Sequence, residues 1–320
     1  MSAFNKIPIS ILPSLLTVGN FVCGLICIIF CIQSIFWQGS SAAAATVKQA
    51  ALFQNACLII LLGMIFDMLD GRVARLTHSQ SQLGGELDSL ADMCTFGIAP
   101  SVILATLWIR AMPDTAEWWS FSLIAAIIYS SCAMLRLAIY NLSISESAKG
   151  HFSGLPSPAA AGCIAGTSLF FTQDYVANLW SKFYDAVLSR WITDFGGCAD
   201  QRIVAVYIFS VYIIVVGLLM VSHFRFAHVA NLWLGKTKKI YLMIAVIAGI
   251  LLLSMERTRN PMIFIGFNGY VLICLFVNIR NRWRNQESKI DQDITQILEI
   301  SDEEDLETDG LAADDEPLKK

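Results

Sequence analysis

Four aspartates in one short stretch, Asp67, Asp70, Asp88 and Asp92, are the residues of this chain best suited to chemistry. They stand in the run FDMLDGRVARLTHSQSQLGGELDSLADMCTFG, from Phe66 to Gly97, where two apolar segments meet across a polar connection. Acids at the edge of hydrocarbon are costly, so a cluster of them reads as functional, with its partners in the bundle interior or a wet cavity. Asp67 and Asp70 are three residues apart and Asp88 and Asp92 four apart, so on helices each pair shares one face. Two such faces can converge on a single volume ringed by oxygen donors. Repelling acids gathered there need a counter-cation, and carboxylates suit hard divalent ions such as Mg²⁺, whose other ligands are commonly water and substrate phosphate oxygens. Two ions about 3.5–4 Å apart would activate a nucleophile and stabilise the leaving group of an in-line displacement at phosphorus. The pattern points to phosphoryl chemistry.

Between the two pairs lie Gly71 and Ala74, small enough for a nucleotide to approach the helix backbone, and Arg75, whose guanidinium suits bidentate phosphate binding. Gly84 is expected to let the chain turn back into the next helix. Each residue also has an ordinary explanation: Asp88 as the cap of a helix amino terminus, Arg72 and Arg75 as charges that set membrane orientation. Coincidence of all of them in this order and spacing argues against that.

The elements that must position these residues follow from composition. Of 320 residues, 56% are hydrophobic and 15% charged, against about a quarter charged in soluble domains. Long uncharged runs predict spans at 11–33, 50–70, 88–110, 121–141, 157–172, 203–222, 240–256 and 261–279, an all-α integral membrane protein of eight helices. The fifth is short and holds Gly162 and Gly166 among alanines and serines, which suits close helix packing inside the bundle. The first is long enough to span and should remain as helix one rather than be cleaved as a signal. Lys and Arg concentrate in one alternate set of loops, including Lys6, Arg72, Arg75, Arg136, Lys149, Lys238 and Arg282. That set is expected on the cytoplasmic side, together with the four acids and both termini. The connection from Thr172 to Arg202 mixes aromatics with charges and is expected to hold an interfacial helix. A membrane domain is expected over 1–284, followed by a polar tail over 285–320 whose acids run from Asp302 to Glu316 and whose composition is that of a disordered segment. Eight of the nine cysteines lie in or beside apolar runs, and Cys23, Cys27 and Cys31 form a packing stripe at four-residue spacing. Neither zinc nor a disulfide framework is supported.

The acidic run resembles the CDP-alcohol phosphatidyltransferase family. It fits the family signature D-x-x-D-G-x-x-A-R-x8-G-x-x-x-D-x-x-x-D without a mismatch, through Asp67, Asp70, Gly71, Ala74, Arg75, Gly84, Asp88 and Asp92. The resemblance implies a helical membrane enzyme with a six-helix catalytic core, usually dimeric, that moves a phosphatidyl group from a CDP-linked lipid to an alcohol and releases CMP. By carry-over, Asp67, Asp70, Asp88 and Asp92 hold two divalent ions, Mg²⁺ or Mn²⁺. Asp92 is also the general base, and Gly71, Ala74 and Arg75 hold the CDP moiety. No nucleic-acid partner is expected.

Three further stretches, LPSLLTVGNFVCG (Leu12–Gly24), DSLADMCTFGIAP (Asp88–Pro100) and FSGLPSPAAAG (Phe152–Gly162), look like the bacterial membrane-spanning phosphatidylserine synthases. The expected substrates are then CDP-diacylglycerol and L-serine, in a bacterial inner membrane. Asn20, polar in an apolar first helix, offers a hydrogen bond to nucleotide or phosphate, or else glues two helices together. Arg136 and Lys149 are candidates for the serine carboxylate. One departure stands out: Ile139 occupies a place where serine-specific relatives commonly carry a second Arg, which keeps glycerol 3-phosphate as an alternative acceptor. A cation transporter is the competing class, but transporters set ion sites near the midplane on broken helices, often in inverted repeats. Here the acids fall toward one surface and no repeat is evident.

Overall fold

Apolar runs that must satisfy every backbone group internally become helices, and helices are all that the described residues contain apart from turns. The computed structural model describes residues 11–77, 82–111, 121–146, 154–172, 174–185, 201–222, 224 and 258–281. In chain order the helices are α1 (Ile11–Phe36) and α2 (Ala42–Leu76), then α3 (Gln82–Asp92), which runs through a π-helical turn (Met93–Ile98) into α4 (Ala99–Ala111). After these come α5 (Phe121–Glu146), α6 (Ser157–Phe171), α7 (Asp174–Phe183), α8 (Gln201–Val221) and α9 (Thr258–Asn281). Among the described residues, six helical stretches are long and apolar enough to cross a membrane: Pro13–Phe36, Ala42–Leu76, Leu83–Ala111, Phe121–Leu142, Ile203–Val221 and Thr258–Asn281. The chain is an all-α integral membrane protein. The expected span at 240–256 lies outside the described residues, as does the tail over 285–320.

Helix boundaries depart from expectation around the acids. α2 has 35 residues, about 52 Å at 1.5 Å per residue, against a hydrocarbon core of about 30 Å. Hydropathy marks only the portion that lipid covers, whereas the hydrogen-bond ladder continues to Thr77, whose N–H caps the helix on the Val73 carbonyl at 2.9 Å. At the other end the Ser41 hydroxyl accepts the Ala44 N–H, a side-chain N-cap that starts the helix eight residues before the apolar run. α3 likewise begins at Gln82 rather than 88. Asp88 therefore sits inside a helix and caps nothing, and Gly84 is helical rather than the residue of a turn.

Close packing is set by small residues. The stripe Cys23, Cys27 and Cys31 is buried in α1, and all eight described cysteines are free. α6, too short for a span, is buried along nearly its whole length, from Ala160 to Leu169. A Cβ on Gly162 would fall on the Phe267 ring, and one on Gly166 would press on Ile263 at 3.1 Å, so α9 lies directly against this glycine face. Polar groups stitch the same region: Tyr212 Oη donates to Asn268 Oδ1 at 2.6 Å, and Asn268 Nδ2 to Thr167 Oγ1 at 3.2 Å. Ser122 and Ser210 join α5 to α8 at 2.7 Å. α7 occupies part of the connection expected to be interfacial, and Trp180 Nε1 donates to the Gln201 carbonyl at 3.4 Å. Packing divides the chain after Val271, so residues up to there form one unit and the end of α9 belongs to a second.

Candidate active site

The two acid-bearing helices bring their carboxylates together. Oxygens of Asp67 and Asp70 from α2 and of Asp88 from α3 all lie within 4.8 Å of one another. That separation is close to the width of a hard cation's oxygen shell, twice a metal–oxygen distance of about 2.1–2.6 Å. Asp70 is buried, at 4% exposure, and Oδ1 of Asp88 is shut away from solvent without a hydrogen-bond partner. A buried carboxylate oxygen without a donor, on a residue grouped with two other carboxylates, is the surrounding a cation would complete. The residues present therefore fit a divalent metal, with Asp67, Asp70 and Asp88 able to hold it.

Asp92, one helical turn beyond Asp88, stands outside this trio but near enough to feel the charges of Asp67, Asp88 and Asp70. It is held from another direction, because the Asn20 carboxamide donates to Asp92 Oδ1 at 2.9 Å. Asn20 is fully buried and its own Oδ1 has no partner. In this structure its amide joins α1 to α3, as the glue reading requires. Thr17, one turn earlier, donates its hydroxyl to Asp70 Oδ2 at 2.9 Å. Thr17 escaped notice in the sequence because a threonine in an apolar helix is ordinary; its position three residues before Asn20 is the signal.

The nucleotide-binding candidates line an open face. A Cβ built on Gly71 would meet nothing within 4 Å, so room beside the backbone exists where a base or phosphate would need it. Arg75 is exposed, with Nε donating to the Gly71 carbonyl at 2.9 Å, and Ala74 is half-buried beside it. On α5, Nε of Arg136 is buried without a hydrogen-bond partner. One turn on, Tyr140 is within electrostatic range of Asp88, Arg136, Asp67 and Asp92. Tyr140 thus borders the acids without having been singled out, and its i+4 spacing from Arg136 is the trace it leaves in the sequence. Asn141 Nδ2 donates to Ser89 Oγ at 3.0 Å and fastens this end of α5 to α3. Lys149 lies outside the described residues.

Bundle and acids together define a helical membrane protein with an acidic, metal-competent cluster. Residues 10–193 match the family model described as CDP-alcohol phosphatidyltransferase. The chain belongs to that family, and is therefore a transferase. Relatives carry the name CDP-diacylglycerol--serine O-phosphatidyltransferase. One from Bacillus subtilis (strain 168) is 33% identical over 166 residues, 52% of this chain and 80% of that protein. One from Mycobacterium leprae (strain TN) is 32% identical over 194 residues, 59% of this chain and 56% of that protein. One from Helicobacter pylori (strain ATCC 700392 / 26695) is 33% identical over 154 residues, 48% and 55% respectively. The chain thus spans most of the first and little more than half of the other two.

Proposed function

We propose that this protein is a CDP-diacylglycerol–serine O-phosphatidyltransferase, transferring the phosphatidyl group from CDP-diacylglycerol to the hydroxyl of L-serine and yielding phosphatidylserine and CMP. The observation that carries the reading is the convergence of Asp67, Asp70 and Asp88 within 4.8 Å in a chain of this family. The acceptor rests on the names of the relatives.

In this reading Asp67, Asp70, Asp88 and Asp92 hold two divalent ions, Mg²⁺ or Mn²⁺. Bound there, such ions neutralise phosphate charge and stabilise the leaving CMP oxygen. Gly71 and Ala74 let the cytidine nucleotide lie along α2, and Arg75, released from its bond to the Gly71 carbonyl, turns to the diphosphate. Arg136, with Lys149, receives the serine carboxylate. Asp92 takes the proton from the serine hydroxyl as the new O–P bond forms and the bond between phosphorus and the CMP oxygen breaks. Asn20 keeps one Asp92 oxygen occupied, leaving the other for that proton. The basic loops favour a site on the cytoplasmic face of a bacterial inner membrane, with both termini on the same side, and a homodimer is the expected assembly.

The test is an incubation of purified protein with CDP-diacylglycerol and Mn²⁺ or Mg²⁺, offering serine, glycerol 3-phosphate and inositol separately. CMP release with serine is expected. Release only with glycerol 3-phosphate would transfer the reading to that acceptor, and release with none would end it.

A further inference from the structure

The turn that follows Asp92 is built unlike the rest of its helix. Over Met93–Ile98 the backbone is π-helical, and the Ala99 N–H reaches back five residues to the Cys94 carbonyl. A π turn is uncommon and needs outside support for carbonyls that an α-helix would use. α5 supplies part of it: Tyr129, fully buried, donates to the Phe96 carbonyl at 2.9 Å, and Ser130 reaches the Gly97 carbonyl at 3.4 Å.

Thr95, in the middle of this turn, is fully buried and donates its hydroxyl to the backbone carbonyl of Asn20 at 2.8 Å. It fits between two glycines. A Cβ on Gly24 of α1 would stand 2.7 Å from Thr95 Oγ1, and a Cβ on Gly63 of α2 would stand 2.7 Å from Thr95 Cγ2 and 3.1 Å from Asn20 Oδ1. Asn20 is therefore gripped twice from one helix, through its carbonyl by Thr95 and through its carboxamide by Asp92. The second grip depends on the first, because the backbone that Thr95 fixes carries the amide that orients Asp92.

We infer that Thr95 is a positioning residue, whose hydroxyl holds Asn20 so that Asn20 in turn fixes which Asp92 oxygen faces the acid trio. This rests on the reading of Asp92 as proton acceptor given above. Neither Thr95 nor the π turn touches the open face along Gly71, so the effect falls on the chemical step and spares nucleotide binding.

Two matched pairs isolate the hydroxyl. Thr95 and Thr95→Val share a shape, while Thr95→Ser and Thr95→Ala both lack the methyl that sits against Gly63. In full-length purified protein, kcat is expected to fall about 10- to 100-fold from Thr to Val and from Ser to Ala, the loss that misplacing a catalytic group brings. KM for CDP-diacylglycerol should stay within about threefold in both pairs, since uniform binding is untouched. Should Val not fold, the Ser and Ala pair decides. In an Asn20→Ala background the same Thr95 changes should cost no more than about twofold, because coupled residues lose their separate effects together. Equal kcat for Ser and Ala in an active enzyme, or a full Thr95 penalty without the Asn20 side chain, would overturn the inference alone. Absence of CMP release from the unaltered protein with every acceptor would remove the reaction, and the inference with it.

Discussion

Thr17 Oγ1 stands 2.9 Å from Asp70 Oδ2, so a hydroxyl of the first helix supports a carboxylate of the second. The same oxygen is 3.1 Å from the Pro13 carbonyl, but it has one proton to give and an ionised carboxylate is the stronger acceptor. Removing an outer partner of this kind commonly costs about 10- to 100-fold in metal affinity. Thr17→Val should weaken Mn²⁺ binding by about 10-fold or more, with Thr17→Ser close to the parent, as read by titration with electron paramagnetic resonance. Equal Mn²⁺ affinity in the Val and Ser variants would show that the bond does not serve the metal.

Asp92→Asn separates chemistry from assembly. The replacement amide still offers an oxygen to the Asn20 donor, so the link between α1 and α3 can persist and the melting temperature should hardly move. Without a proton acceptor, kcat should drop by about 10²–10⁴-fold, the usual worth of a general base. A variant that releases CMP at a rate near that of the parent would assign the proton to another group.

Gly71→Ala tests the open face. With nothing within 4 Å of the added methyl, the folded protein tolerates it, and a helical Gly-to-Ala change contributes about 1 kcal/mol of stability. Nucleotide lying against the backbone would collide with the same methyl. KM for CDP-diacylglycerol should then rise by about 10-fold, equivalent to roughly 1.4 kcal/mol, while the protein melts no lower. An unchanged KM would move the nucleotide off this surface.

Much of this site was legible in the sequence because its residues are type-specific: four acids at helical spacing in an apolar chain have few reasons to exist other than a cation. The helical class, the buried cysteine stripe and the packing role of Gly162 and Gly166 were legible for the same reason, each following from local composition. Helix ends were not. Hydropathy marks lipid contact, so it missed the first turns of α2, capped by Ser41, and of α3, which absorb Gly84 and Asp88 into regular helix. Support from afar was also hidden. Thr17, Thr95 and Tyr140 are unremarkable until tertiary packing brings α1 and α5 beside the acids, and no periodicity announces the π turn after Asp92.

Gly154 precedes α6 with φ at +93°, a conformation that side chains resist. Its N–H donates to the Phe224 carbonyl at 2.7 Å and the next N–H, of Leu155, to the Leu219 carbonyl at 3.0 Å, tying the start of α6 to the end of α8. An alanine Cβ there would overlap the Met220 carbonyl oxygen. Gly154→Ala should lower stability by about 1–3 kcal/mol through backbone strain alone, visible as a lower melting temperature, with kcat of the folded fraction largely kept. A melting temperature equal to the parent's would mean that this junction relaxes freely.

The proposed role of Arg136 in binding the acceptor has a direct test. Its Nε is buried without a hydrogen-bond partner, and an unsatisfied buried donor costs about 1–3 kcal/mol, more when charged. Such a group is retained where a ligand completes it. Tyr140, one turn away, is in electrostatic range of both Arg136 and the acids, which supports an acceptor site on this side of α5. Serine presents a carboxylate that matches the guanidinium fork. Arg136→Gln should therefore raise KM for serine by about 10- to 100-fold, the worth of a charge-assisted bond. KM for CDP-diacylglycerol should hold, and Arg136→Lys should fall between, since it keeps the charge without the fork. If KM for CDP-diacylglycerol rises instead while that for serine holds, Arg136 belongs to the diphosphate, and selection of the acceptor lies with residues other than Arg136.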